Sequence, residues 1–416
     1  MKALIKNYKV TIGACCVGYV CQAIVNNFAP LLFVTFGTQF GISLAETTVL
    51  ITVNFAIQLT VDLLSAKLID RIGYRAAGVS AHLFIGVGLI LMGTLPYAVS
   101  SPLAGLIAAS AVYSVGGGML EVMVSPLVES CPTKGKSASM SLLNSFYCWG
   151  SVLVIGLTTA VFARFGTRVW DELSMIWSVL PFLNALLFLF VPIPAQLSEG
   201  PRSRVLPLLK SGIFWVLAVM IFCAGASELA VTQWASSFVE KGLGVSKTMG
   251  DLLGPCLFAL LMGIVRVAYA PIAKKLGLTV PIAVSAGLCA ASYLMMTLTD
   301  NAALSLAGCA LCGVSVALMW PASFSKAASS IPSGGTAMFA LLALAGDLGC
   351  LAGPTLVGQV SSSVGDDLHT GLLVAIVFPV VLFFAVFLCR YLVKRKNASE
   401  VALSFAQDGE TPPTDD

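Results

Sequence analysis

Charge is what this chain has least of: Asp, Glu, Lys and Arg make up 10% of its 416 residues, where a soluble domain carries roughly 25%. Histidine is scarcer still, with only His82 and His369. Two histidines so far apart exclude an H-E-x-x-H metal site, and neither a G-x-S-x-G turn nor a G-x-x-x-x-G-K-[ST] phosphate loop is present, so the usual hydrolytic and ATP-driven chemistries have no residues to run on. The chain therefore reads as a non-enzyme, with no cofactor and no metal. The net charge of +3 resides in short connections and gives no basic face for nucleic acid. Twelve cysteines are scattered singly or as Cys15-Cys16 through apolar runs, and even Cys309-x-x-Cys312 falls inside one. There a thiol acts as a small buried hydrophobe, so no disulfide framework is expected.

What the chain has instead is oil-soluble surface. Hydrophobic residues make up 58% of it, and apolar stretches of about 20 residues, the length that crosses a bilayer, recur along nearly the whole length. Twelve are counted, at approximately 10–36, 45–69, 76–98, 101–128, 136–163, 171–194, 213–239, 249–273, 278–299, 302–325, 335–362 and 370–393. The fold class is an all-α integral membrane protein of twelve spans, with the lipid bilayer as solvent. The first apolar run after MKALIKNYK is too long, and lacks the small-residue exit, for a cleaved signal peptide.

Basic residues set the orientation. Eighteen of the 23 Lys and Arg fall in the N-terminus, the C-terminus and alternate connections, and four in the opposite connections. By the positive-inside rule both termini are cytoplasmic, in a plasma (cytoplasmic) membrane protein. The sequon Asn397-Ala-Ser399 then lies on the cytoplasmic side. The acidic, Pro-containing end, residues 396–416, is expected to be disordered.

The most Pro-rich connection, PIPAQLSEGPRSRVLPLLK, has six spans on each side. This divides the chain into an N-terminal bundle (1–195), a cytoplasmic linker (196–212) and a C-terminal bundle (213–395). AKLIDRIG (66–73) and APIAKKLG (270–277) follow the second span of their respective halves and share Ala66 with Ala270 and Gly73 with Gly277. Pseudo-symmetric six-helix halves of this kind place a substrate site at their interface.

The segment Ala66-Lys-Leu-Ile-Asp70-Arg71-Ile-Gly73-Tyr-Arg75 resembles the signature between the second and third spans of the major facilitator superfamily, G-x-L-a-D-R-x-G-R-K. The resemblance implies a gating role for Asp70, Arg71, Gly73 and Arg75, with Asp70 facing a helix N-terminus of the second half. A carboxylate there gains about 0.3–1 kcal/mol. It also implies that spans 1, 4, 7 and 10 line a cavity and that spans 2, 5, 8 and 11 join the halves.

A charge near the bilayer centre costs about 2.5–3.5 kcal/mol, so each one needs a reason. Five lie deep in spans: Asp62, Glu121, Glu228, Arg266 and Asp347. Spans 3, 6, 9 and 12 carry none, which suits them to face lipid. Glu121, Glu228 and Asp62 are candidate proton-coupling groups, because carboxylates in partly desolvated sites exchange protons as water access changes sides. Fixed hydrogen bonding or pairing is the structural alternative. Asp62 and Arg266 occupy equivalent places in the two halves, and with Asp347, set among glycines, they are candidate gating or packing residues. Asn27, Asn144, Trp149, Gln233 and Trp234 are candidate substrate-binding groups, since amides read hydroxyls and indoles stack on sugar faces.

Gly118-Met-Leu-Glu121-Val-Met-Val-Ser-Pro126 is similar to the fourth span of the fucose permeases, and Asn144-Ser-Phe146 also resembles that group. This resemblance implies sugar-proton symport with Glu121 at its centre. Those permeases carry an acidic residue on their first span; here NNFAPLLF has none, and Asp62 or Glu228 takes its place. The expected function is thus a monomeric secondary transporter whose partners are protons and a small-molecule solute. The alternative is a proton-coupled exporter of drugs or amphipathic metabolites. Asp70→Asn should slow turnover in a liposome transport assay while changing apparent solute affinity little; a large affinity loss at normal turnover would remove Asp70 from the gate.

Overall fold

A computed structural model describes residues 7–133, 136–194, 205–269, 277–299 and 301–408. The expected linker up to residue 204, the repeat segment 270–276 and the end from 409 lie outside the described residues, as do the side chains of Asp70 and Asn144. Among the described residues the chain is helical, with twelve helices long and apolar enough to cross a membrane. In the first half these are α1 (Tyr8–Phe40), α2 (Leu44–Leu64), α3 (Arg71–Ala98), α4 (Pro102–Ser130), α5 (Ser145–Phe165) and α6 (Thr167–Phe188). In the second half they are α7 (Gly212–Gly242), α8 (Lys247–Tyr269), α9 (Thr279–Thr297), α10 (Ala302–Ser330), α11 (Ala337–Ser363) and α12 (Leu368–Lys396). The last helix continues past the expected tail boundary at 396, to Asp408.

Side-chain caps start several of these helices. Ser43 and Glu46 form a reciprocal capping box at the head of α2, and Ser101, Ser211 and Asn301 accept from backbone N–H groups at the heads of α4, α7 and α10, satisfying donors that have no intrahelical partner. Asp367 does the same at α12, where the Thr370 hydroxyl and the N–H groups of His369 and Thr370 hold its carboxyl below the usual range. Near the start of α3 the chain bends at Gly73, whose φ of 80° suits a residue without a Cβ. Irregular turns interrupt several of the helices, among them α8 at Leu252–Cys256, which widens around Pro255. α1 tightens into a 3-10 turn at Ala29–Leu32, around Pro30, and α7 widens into a π-helical turn at Phe238–Gly242.

Each set of six packs into a bundle, and the bundles meet along α2 with α11 and α5 with α8. Exposed apolar pairs four residues apart mark the outward stripes of the remaining helices: Leu83 and Val87 on α3, Val179 and Leu183 on α6, Val280 and Val284 on α9, Phe384 and Leu388 on α12. That spacing puts both members of each pair on one helix face, and it agrees with the absence of charge expected for lipid-facing spans. Within the second half α7 and α11 come into backbone contact. A Cβ at Gly349 or Gly353 would run into the carbonyl oxygen of Phe222 or Ala226.

Gly349→Ala should therefore lower the thermal stability of the purified protein by about 1–3 kcal/mol, the usual cost of overpacking. Gly156→Ala, where a Cβ meets nothing within 4 Å, should leave the melting temperature unchanged. Equal behaviour of the two variants would refute the contact.

Candidate functional site at the junction of the two halves

Glu121 occupies the middle of α4 and is reached through three consecutive glycines, each of which meets a different helix. A Cβ on Gly116 would strike Ala81 O of α3; on Gly117 it would lie 3.0 Å from Gln22 Oε1 of α1; on Gly118, 2.9 Å from Gln58 O of α2. Removing three side chains lets α4 sink among its neighbours, and the next turn presents Glu121 at the junction. The glutamate is exposed, yet it stands within electrostatic reach of Asp62 on α2, Tyr147 on α5 and Asp347 on α11. A side chain both exposed and surrounded by both halves lines a crevice. Gln22 Nε2 donates to it at 3.4 Å, and no ion pair to it is found among the described residues.

Behind Glu121 runs a buried chain of amides. Gln22 Nε2 also donates to Gln58 Oε1 (2.8 Å), Gln58 Nε2 donates to Asn26 Oδ1 and Asn54 Oδ1 (3.0 Å each), Ser114 Oγ donates to Asn54 Oδ1 (2.6 Å) and Asn26 Nδ2 to Tyr147 OH (3.4 Å). Buried polar groups cost free energy unless paired, and here all but Gln22 Oε1 pair with one another. Gln58, Asn54 and Ser114 escaped the sequence reading. The signal was available: Gln22 with Asn26 and Asn54 with Gln58 are both four residues apart, two amide faces set to meet on packed helices.

Across the junction, Glu228 on α7 is paired with Arg266 on α8 at 3.5 Å, with side chains 12% and 19% exposed respectively. Arg266 also donates to Ala317 O of α10 and reaches Cys148 Sγ of α5 at 3.3 Å, so it spans both halves. Glu228 lines a small pocket with Asn27, Tyr147, Ser151, Thr232 and Gln233. Asn27 donates to Ser151 Oγ (3.1 Å) and Gln233 to Asn26 O (2.9 Å), so these candidate binding groups do converge. The two glutamates differ in kind: Glu121 has no cation and is open, whereas Glu228 is neutralised in place.

The other candidates are distributed as follows. Asp62 faces Asp347 across the α2–α11 seam, and neither Asp62 oxygen has a donor among the described residues. Trp234 is fully buried and its indole donates to Pro354 O of α11 (2.9 Å); it packs two helices together and does not line the pocket. Trp149 is exposed beside Gly263 of α8. Arg71 is exposed, while Arg75 donates to Phe188 O, Leu189 O and Val191 O, capping the C-terminal end of α6 where carbonyls lack partners. His82 is sealed within the first half, its Nδ1 donating to Gly78 O and its Nε2 accepting from Asn184.

One end of the junction is shut. Where α1 leads into α2 and α7 into α8, Phe33 and Trp234 rings lie 5.7 Å apart, Thr52 and Thr355 hydroxyls bond at 2.9 Å, and Thr159 of α5 reaches Asp251 of α8 at 3.4 Å. Asp251 is itself buried against Lys247 (2.6 Å) and Ser236 (2.5 Å), an i,i+4 pair that the sequence reading did not single out. Among the described residues α4 and α10 have at most marginal contact, and Glu121 is exposed on α4.

The comparisons agree with this architecture. A protein-family model described as Major Facilitator Superfamily matches residues 15–354. Membrane protein MosC of Rhizobium meliloti is 22% identical over 293 residues, 70% of this chain and 69% of that protein. Among solved structures, a bacterial homologue of the human lysosomal transporter Spinster, inward-facing and occupied, superposes with a TM-score of 0.72 at 14% identity, covering 92% of this chain and 96% of that one. The E. coli fucose:proton symporter FucP superposes with a TM-score of 0.63, also at 14% identity, covering 92% and 99%. With its family match across most of the length and twelve helices in two joined bundles, the chain belongs to the Major Facilitator Superfamily of membrane transporters.

Proposed function

We propose that the protein is a secondary active transporter that moves a small polar solute, of the sugar class, together with protons by alternating access. It acts as a monomer in the plasma membrane with both termini cytoplasmic. The observation that carries the proposal is Glu121: a carboxyl in mid-span, open to a crevice, with no cation on it among the described residues. A carboxylate in that place is tolerable while water reaches it and costly once the crevice shuts. Taking up a proton removes most of that cost, so protonation and closure are linked. The amide of Gln22 beside it, with those of Asn27 and Gln233 in the pocket at Glu228, suits a solute rich in hydroxyl groups, which amides can both donate to and accept from. FucP, named as a fucose:proton symporter, shares the fold, and the fourth-span similarity around Glu121 points the same way.

Glu228 takes a different part. Its pairing with Arg266 leaves no net charge to exchange, so the pair holds the pocket wall and ties α7, α8 and α5 together. The coupling proton is assigned to Glu121.

In proteoliposomes screened with radiolabelled monosaccharides, uptake driven by an imposed pH gradient should fall to the level of protein-free liposomes in Glu121→Gln, while solute counterflow without a gradient persists. Undiminished gradient-driven uptake in that variant would sink the assignment. Arg266→Leu should destabilise the protein by about 3–5 kcal/mol in thermal unfolding, because it strands a buried carboxylate. Adding Glu228→Leu should recover most of that loss; no recovery would mean that the pair is not the source.

A further inference from the structure

The α11 glycines divide into two groups by what they touch. Gly349 and Gly353 abut Phe222 O and Ala226 O of α7, contacts inside the second half that persist however the halves move. Gly358 lies nine residues beyond Gly349, about two and a half helical turns, and so emerges on the opposite side of α11. There a Cβ would strike Thr48 Oγ1 and come within 2.7 Å of Thr48 Cγ2, both on α2 of the other half, and within 2.7 Å of a ring carbon of Trp234. Thr48 cannot turn aside cheaply. It is 3% exposed, its hydroxyl is held by Leu44 O at 2.9 Å, and a β-branched side chain in a helix has little rotamer freedom. One turn away the Thr52–Thr355 bond closes the same seam, and Trp234 at this point also carries the ring contact to Phe33.

We infer that Gly358 is the residue that permits the shut end of the junction to shut: the missing side chain is the space into which α2 settles, and filling it selects against this conformation. The inference rests on the alternating-access reading above. Through Thr48 an added methyl raises the energy of the state in which α2 and α11 touch there, whereas its contact with Trp234, inside the second half, bears on every state alike; the Thr48 part shifts the population toward the state open at that end.

The test is amide hydrogen exchange, read by mass spectrometry on the full-length protein, which needs neither a solute nor a label. In Gly358→Ala, exchange across residues 38–47 and 239–246, the connections at the shut end, should quicken about tenfold, the population shift expected of ordinary overpacking. Exchange across the lipid-facing stretch 83–90 of α3 should stay at the wild-type rate, which separates opening from general loosening. Thr48→Ala combined with Gly358→Ala should return the two connections toward the wild-type rate, since it removes both Thr48 atoms from the clash. Unchanged exchange in Gly358→Ala, or the same quickening with and without Thr48→Ala, would overturn the inference. If Gly358→Ala yields no folded protein, recovery of folding in the double variant supports it, and failure of the double variant refutes it by assigning the glycine to packing against Trp234. Because the readout is independent of transport, the exchange result stands whether or not Glu121→Gln abolishes uptake.

Discussion

A carboxylate in the middle of a bilayer survives only with water, a proton or a cation beside it, and the structure supplies these differently at each acidic site. Glu121 is exposed in the crevice. Glu228 has Arg266. Asp62 and Asp347 face each other across the seam, where only a shared proton would relieve the repulsion of two carboxylates, and Asp62 has no donor among the described residues. The placement of the helices follows from these needs: the charge-bearing helices turn toward the junction, and α3, α6, α9 and α12 offer lipid only apolar stripes.

The first half is built around the amide chain from Ser114 to Gln22, which ends at Glu121. The second half is built around close backbone contact of α7 and α11, with one neutral ion pair at its inner wall. Pseudo-symmetry of fold thus does not extend to polarity. The first bundle offers a run of uncharged amides with the carboxyls of Glu121 and Asp62; the second offers the Glu228–Arg266 pair and Asp347.

Much of this was legible in the sequence. Span number, the division into halves and the lipid-facing helices follow from hydropathy and from where charge is missing, because oil enforces both strictly. Glu121 stood out for the same reason. What could not be read was pairing. Nothing along the chain says that Glu228 meets Arg266 while Glu121 meets no cation, since partners 38 residues apart are set by helix rotation and crossing, not by spacing. Trp234 looked like a binding residue because indoles suit sugars, but its burial is decided by Pro354 and Phe33, far away in sequence. Arg75 belonged to a gating motif, and the structure ties it to the end of α6, a helix terminus that hydropathy locates only to within a turn.

The irregular turns in α1 and α7 bear on how the shut end comes apart. A tightened turn at Ala29–Leu32 and a widened one at Phe238–Gly242 each interrupt the regular ladder of backbone bonds beyond the polar centre, and helices bend where that ladder is broken. The last two turns of α1, which carry Phe33 and Phe36, are thus jointed to their stem, whereas in α7 the widened turn is itself the last and Trp234 stands before it on the regular stem. The ring contact of Phe33 with Trp234 therefore rests a jointed tip against a fixed post.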